Sequence, residues 1–198
     1  MRVLGITGGI ATGKSTVTRM LADLGAPTIS ADTLAHDLLS PGTVTTRAVL
    51  DAFPGCVDPA DSSGQTVDRR ALGKIVFADP AARARLEAMT HPAIVAALRR
   101  QAAAWREAEG RCAAAEIPLL FETDLVSLPD RVIVVACGEA AQIARLRARI
   151  GVSEEEARAR LSAQWPLAEK TARADVVITT DSDLGDTRRQ VEALWKTL

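Results

Sequence analysis

The sequence predicts an α/β protein with a five-stranded parallel sheet flanked by helices. Short apolar runs recur along the chain and are separated by amphipathic helical patterns. These runs are continuous rather than alternating, which is typical of parallel strands buried on both faces. A glycine-rich turn joins the first run to the first helix. The predicted strands are residues 3–7, 27–30, 112–117, 131–137 and 175–179.

The helical segments follow from periodicity. Residues 14–24 carry apolar side chains at i, i+3, i+4 and i+7, and Gly25 is a typical stop signal. Residues 43–105 are alanine-rich and contain no good strand, with a loop at 54–64 where Gly, Pro, Asp and Ser cluster. In the Arg-rich stretch 139–174, Ser153 and Glu156 fit a capping box. The last helix has one apolar face, formed by Val191, Leu194, Trp195 and Leu198.

This pattern predicts a single domain with two helical additions. The core is expected at about 1–42, 110–138 and 172–198. A helical insertion is expected at about 43–109, and a second helical region at about 139–171.

Composition excludes several classes of protein. The chain has 198 residues and a net charge of -1, so no general attraction to nucleic acid or to an anionic membrane is expected. No apolar stretch approaches the roughly 20 residues that span a bilayer. The three cysteines are far apart, which argues against a disulfide framework or a zinc site. We therefore expect a cytoplasmic protein without nucleic-acid or membrane partners.

The segment "GGIATGKS" fits the pattern G-x-x-x-x-G-K-[ST] and lies between a predicted strand and a predicted helix. Glycines let backbone N–H groups surround a polyphosphate, and the helix N-terminus adds further donors. Lys14 would contact the β- and γ-phosphates, and the Ser15 hydroxyl would ligate Mg²⁺. The predicted ATP-binding residues are Gly8, Gly9, Ile10, Ala11, Thr12, Gly13, Lys14, Ser15 and Thr16. The alternative is a glycine-rich turn that binds nothing.

A nucleotide-binding loop does not by itself separate a kinase from a GTPase switch. A switch needs a guanine-reading N/T-K-x-D segment, and the sequence has none. "DSSG" at residues 61–64 matches D-x-x-G by letter, but it follows no strand and is interpreted as a turn.

Six segments, in order along nearly the whole chain, resemble the motifs of the dephospho-coenzyme A kinase family. They are "GITGGIATGKSTV", "LGAPTISADTLAHDLLSPG", "THPAI", "IPLLFE", "QIARLRARIGVSEEEARARLSAQ" and "ARADVVITTDSDL". The resemblance implies a fold like that of nucleoside monophosphate kinases. It also implies transfer of the γ-phosphoryl of ATP, with Mg²⁺, to the ribose 3'-hydroxyl of dephospho-coenzyme A. The insertion would then bind the acceptor, and the region 139–171 would be a lid.

Asp32 matches the last acidic position of the family's D-A-D motif. It follows the second predicted strand, at the sheet edge where ligands of open α/β sheets bind. The predicted role is to orient the acceptor hydroxyl and to take its proton late. The alternative is a helix N-cap, since Asp is a favoured cap.

Arg145 and Arg149 are four residues apart and share a helical face. Their forked guanidinium groups suit phosphate oxygens, so both are predicted catalytic residues alongside Lys14 and Asp32. The alternative is that these arginines are solvated or paired with acids such as those at 154–156.

The remaining predicted acceptor-binding residues are His91, Leu119, Leu120 and Glu122. Glu122 closes the "PLLFE" segment, where it would contact the acceptor or hold the lid. His91 precedes Pro92, and a structural role is the alternative. Glu116 is compatible with a metal ligand or with a charge network, and the sequence leaves both open.

Four positions depart from the family pattern. Ser30 replaces the first Asp of D-A-D, and His36 stands where an arginine is common. Thr180 takes the place of a frequent Asn, in a region expected to meet adenine. Ala11 replaces a loop glycine, which requires that its φ is not strongly positive.

Three other functions remain open on the sequence. The first is another small-molecule kinase of the same architecture, acting on a nucleoside or a nucleotide. The second is a regulatory module that binds nucleotide and signals by changing shape. The third is a helical scaffold without a ligand, which would leave the glycine loop unexplained.

Overall fold

The computed structural model describes all 198 residues and contains one parallel sheet. The strands are β1 (Arg2–Gly8), β2 (Thr28–Ser30), β3 (Cys112–Glu116), β4 (Arg131–Ala136) and β5 (Val176–Thr179). Their order is β2-β3-β1-β4-β5, and every neighbouring pair is parallel. The predicted five-stranded parallel sheet is therefore confirmed.

Nine α-helices and one 3₁₀ turn, Pro54–Cys56, complete the secondary structure. The first five helices are α1 (Lys14–Asp23), α2 (Ala31–Leu38), α3 (Val44–Ala52), α4 (Arg69–Ala78) and α5 (Pro80–Glu107). The others are α6 (Glu139–Ile150), α7 (Glu154–Ser162), α8 (Leu167–Ala172) and α9 (Leu184–Lys196). None of them combines the length and apolar character that a membrane span requires.

The chain divides into two compact units. One contains residues 1–30 and 101–198, and the other contains residues 31–100. The sheet and all residues of the glycine-rich loop belong to the first unit.

The core of the first unit lies between the sheet and its flanking helices. Every residue of β3 is buried, as are all residues of β1 after Arg2, which explains their continuous apolar sequences. Val17 and Leu21 of α1 and Val191 of α9 pack with the strand residues in one cluster. This packing fixes the carboxyl ends of the strands, where the glycine loop begins.

The capping box predicted at the start of α7 is present. The Ser153 hydroxyl accepts the N–H of Glu156 at 3.1 Å, and the Glu156 carboxylate accepts the N–H of Ser153 at 3.4 Å. Two of the helix's four unpaired N-terminal donors would otherwise lack a partner, so local chemistry alone defines this boundary.

The unit 31–100 has its own small core, formed by Val49, Leu50, Phe53, Cys56, Val67 and Leu72. Asp68 caps α4 by accepting the N–H groups of Arg70 and Ala71. The predicted loop at 54–64 contains the 3₁₀ turn, and Val57 within it forms an antiparallel bridge with Val67. Helices therefore dominate this unit, as the sequence predicts.

Asp130 ties β1 to the end of α5 within the first unit. Its carboxylate accepts the Val3 N–H at 2.8 Å and two N–H groups of Arg106 at 2.8 and 3.1 Å. Burial alone would raise the pKa of this carboxyl, but the hydrogen bonds and the Arg106 charge outweigh it and lower the pKa. The ionised Asp130 carboxylate therefore contributes to the free energy of unfolding. This contribution is complete above the pKa of the unfolded state, 3.8, and is lost as the pH falls through the lower pKa of the folded state.

Asp130→Asn should lower the free energy of unfolding by about 1 kcal/mol at neutral pH, because the carboxylate is only partly exposed and loses its ion pair. Urea denaturation at a series of pH values would show the deficit shrinking below the unfolded pKa. Asp124→Asn, at an exposed loop position, is the matched control. A deficit that stays constant down to strong acid would contradict the role of the charge.

Candidate active site

The glycine-rich loop connects β1 to α1 at the centre of the sheet. Gly8 has a φ of 145°, and a Cβ there would lie 2.1 Å from the Val135 carbonyl oxygen. Gly13 has a φ of 95° and is the N-cap of α1. Both conformations favour glycine, so the two outer glycines of the motif are set by the backbone itself.

Ala11 corrects one expectation. Its φ is 59°, in the left-handed region, although tolerance of alanine was predicted to require that φ is not strongly positive. This conformation costs a non-glycine residue about 1–2 kcal/mol. Ala11 and Ile10 pack against Ile143, Leu146 and Ala157, and this apolar contact offsets part of the cost.

The Lys14 ammonium lies over the loop. It donates to the Gly9 carbonyl at 2.7 Å, and the Thr12 hydroxyl donates to the same oxygen at 2.9 Å. The positive charge is therefore held at the mouth of the loop, within reach of an anion bound by the loop amides.

Ser15 and Glu116 meet beneath the loop. The Ser15 hydroxyl donates to the Glu116 carboxylate at 2.8 Å, and Glu116 is almost fully buried. Glu116 ends β3, the neighbour of β1, so the sheet itself brings the two side chains together. The sequence left Glu116 open between a metal ligand and a charge network, and the signal for the site was an acidic residue at the end of an apolar strand.

Arg145 does not lie where a γ-phosphate contact was expected. Its guanidinium donates to the hydroxyl of Thr180 at 2.9 Å and to the Thr180 carbonyl. The Thr180 hydroxyl in turn donates to the Thr12 carbonyl at 2.8 Å. Arg145 and Thr180 line a cavity of about 310 Å³ beside Gly13. Burial raises the pKa of the neighbouring Cys137 thiol, although Arg145 opposes the shift.

The other arginines of this region differ in their partners. Arg158 pairs with Glu139 and Glu154, and Arg147 lies 3.9 Å from Glu154. Arg149 is exposed at the end of α6 and makes no hydrogen bond or ion pair. Among the two predicted catalytic arginines, only Arg149 has an uncommitted guanidinium.

Glu122 holds the segment that follows α7. Its carboxylate pairs with the Lys170 ammonium at 2.6 Å and accepts the Trp165 N–H at 3.2 Å. Lys170 is fully buried, and the rings of Trp165 and Phe121 stack with centroids 6.1 Å apart. Lys170 was missed by the sequence analysis, because a lysine in a short polar helix gives no signal of burial.

The two leucines of "PLLFE" differ in exposure. Leu120 is fully buried, whereas Leu119 is half-buried. Leu119 is therefore the leucine of the pair with surface available to a ligand.

Asp32 and His91 belong to the unit 31–100. Since α2 begins at Ala31, Asp32 lies within the first turn of the helix, and the alternative of an N-cap is wrong. The Asp32 side chain is exposed and has no hydrogen-bond partner. His91 is half-buried and precedes Pro92 inside α5.

A glycine loop with its lysine, placed between a central parallel strand and a helix, defines a P-loop fold of the nucleotide-binding class. Residues 2–186 match the profile of a family described as Dephospho-CoA kinase. The chain belongs to the dephospho-CoA kinase family.

Individual relatives agree with this assignment. A dephospho-CoA kinase of Symbiobacterium thermophilum is 48% identical over 99% of this chain and 81% of its own length. One from Geobacter metallireducens is 44% identical over 99% of this chain and 96% of its own length. The solved dephospho-CoA kinase from Campylobacter jejuni superimposes with a TM-score of 0.72 at 30% identity, covering 98% of this chain and 95% of that structure.

Ala11→Gly should raise the free energy of unfolding by about 0.5–1 kcal/mol, because glycine adopts the left-handed conformation without a Cβ conflict. Ala103→Gly, on the exposed side of α5, should instead lower it by about 0.5–1 kcal/mol. Chemical denaturation measures both. Destabilisation by both substitutions would show that the backbone at Ala11 is not strained.

Proposed function

We propose that the protein transfers the γ-phosphoryl group of ATP to the ribose 3'-hydroxyl of dephospho-CoA, giving CoA and ADP, the last step of coenzyme A biosynthesis. The observation that carries this function is the complete P-loop at the carboxyl end of β1, in a chain that belongs to the dephospho-CoA kinase family throughout.

The loop supplies the donor site. Its amides and the N-terminus of α1 surround the β- and γ-phosphates, and Lys14 neutralises charge on them. The segment Gly8 to Thr16 provides these contacts, as the motif predicts. The 310 Å³ cavity beside Gly13 is the proposed site of the adenine and ribose, with Thr180 on its wall.

The Ser15–Glu116 pair fits a magnesium ion. Mg²⁺ is usually bound by one or two protein oxygens together with substrate phosphates, and a hydroxyl beside a buried carboxylate supplies such a set. When bound, the ion neutralises charge on the β- and γ-phosphates. Ser15 would be its direct ligand, with Glu116 orienting that hydroxyl or a ligated water.

Asp32 serves the acceptor. The 3'-oxygen attacks the γ-phosphorus, the bond from that phosphorus to the β–γ bridging oxygen breaks, and ADP leaves. Asp32 orients the hydroxyl and accepts its proton late in the transfer. The ends of β2 and β1 are separated by one strand, β3, or roughly 10 Å, which accommodates a phosphoryl group and a hydroxyl.

The helical additions divide the remaining roles. We assign acceptor binding to the insertion at about 43–109, including His91, and to Leu119 on the core. The region 139–171 is the proposed lid, and Arg149 is its candidate for the transferring phosphoryl group. Arg145 is assigned to the nucleotide side, because its guanidinium lies on Thr180.

A direct assay tests the function. The pure protein is incubated with Mg²⁺, ATP and a panel of dephospho-CoA, pantetheine, adenosine and nucleoside monophosphates, and products are identified by mass spectrometry. Only dephospho-CoA should gain a phosphate. Phosphorylation of another acceptor would indicate a different kinase, and nucleotide binding without transfer would indicate a regulatory module.

Lys14→Ala should lower the rate roughly 100-fold or more without changing the circular dichroism spectrum.

Asp32→Asn should lower kcat by about 10²- to 10⁴-fold, because the amide cannot take the proton, while the Kd for ATP stays the same. Asp37→Asn, also exposed on α2, is the matched control and should leave kcat unchanged. Steady-state kinetics and calorimetry provide the two readouts. A loss of ATP affinity as large as the loss of kcat would show that Asp32 acts on the nucleotide rather than on the acceptor.

A further inference from the structure

Both backbone groups of Ile10, in the middle of the phosphate-binding loop, are bonded to glutamine side chains from distant parts of the chain. The Ile10 N–H donates to Gln164 Oε1 at 2.9 Å, and its carbonyl accepts from Gln142 Nε2 at 2.7 Å. The N–H belongs to the Gly9–Ile10 peptide and the carbonyl to the Ile10–Ala11 peptide, so each glutamine restrains one of two adjoining peptides. Side chains outside the loop therefore contribute to its conformation at Ile10.

Gln142 is a buried residue of the first turn of α6. It is only 5% exposed, and its amide nitrogen lies 2.4 Å from the position that a Cβ at Gly9 would take. The position of Gln142 therefore leaves no space for a side chain at Gly9, the second glycine of the loop.

Gln164 lies between α7 and α8 and lines, with Gly9, a cavity of about 860 Å³. The residue that follows it makes three contacts. The Trp165 backbone N–H donates to Glu122, its ring stacks on Phe121, and the Arg173 guanidinium carbon lies 4.8 Å from the centroid of that ring. These contacts hold the segment that places Gln164 beside the loop, and Gln164 also lines the cavity.

We propose that Gln164 is a positioning residue for phosphoryl transfer, which holds the loop in its ATP-binding conformation by accepting the Ile10 N–H. The next residue, Ala11, has a left-handed backbone that alanine does not favour. Without an acceptor for the Ile10 N–H, the Gly9–Ile10 peptide keeps only the bonds that its carbonyl accepts from Lys14 and Thr12. The amide groups that follow it are then held less firmly in the orientation that binds phosphate. This inference rests on the proposed function, since it assumes that the loop binds ATP.

Gln164→Leu tests the inference, because it keeps the approximate size of the side chain and removes the acceptor. Calorimetric titration with ATP and Mg²⁺ should show a Kd about three- to tenfold higher than for the unchanged protein. The KM for ATP should rise with it, while the KM for dephospho-CoA stays the same. Gln101→Leu is the matched control, a half-buried glutamine of α5 without a hydrogen bond, and should change neither.

The outcomes separate the two proposals. If the unchanged protein does not bind ATP, the proposed function fails. If it binds ATP and Gln164→Leu binds equally well, Gln164 does not position the loop. A lower melting temperature with an unchanged Kd would overturn the inference in the same way, because it would leave Gln164 only a structural role. Should the leucine variant not fold, Gln164→Asn withdraws the acceptor by one methylene group, and an unchanged Kd there would also overturn it.

Discussion

The backbone between Gly8 and Gly13 is the constraint on which the rest of the structure depends. Three residues in this short stretch have positive φ values, of 145°, 59° and 95°. Hydrogen bonds from Thr12 and Lys14 to the Gly9 carbonyl hold one part of this run, and side chains from outside the loop hold Ile10. Buried strands on both sides of β1 fix where the loop begins, and α1 fixes where it ends. The position of the loop is therefore a product of the sheet core rather than of the loop sequence alone.

Much of the fold could be predicted because it is encoded locally. Continuous apolar runs mark the buried strands, and the capping box at Ser153 marks the start of α7. The partners of the loop could not be predicted in the same way. Three of them are more than 100 residues away along the chain: Glu116, Thr180 and Gln164. Which of the many polar side chains contact the loop depends on the folded sheet. The sign of φ at Ala11 has the same origin, since nothing in the identity of alanine indicates a left-handed backbone.

The two arginines of α6 show where periodicity stops being informative. A spacing of four places Arg145 and Arg149 on one face of a helix, and the sequence treats them alike. In the structure Arg145 is half-buried on Thr180, whereas Arg149 lies at the exposed end of the helix. Periodicity reports the direction in which a side chain points, but it does not report how deep the helix lies at that turn. Roles that depend on depth, such as closing on a phosphate or lining a nucleotide pocket, need the tertiary structure.

The proposed roles of the two units require that β2 fixes where the chain segment with Asp32 begins. The residues proposed to bind ATP belong to the unit 1–30 and 101–198, whereas Asp32 is the second residue of the other unit. In the proposed mechanism, transfer depends on positioning more than on basicity, so the segment that carries Asp32 needs a fixed starting point. The three residues of β2 supply it, because Ser30 pairs in register with Glu116, whose carboxylate accepts the Ser15 hydroxyl. The last strand residue before Asp32 is thus tied through one neighbour to the phosphate-binding loop. The register of this short edge strand therefore sets where the segment that carries Asp32 begins.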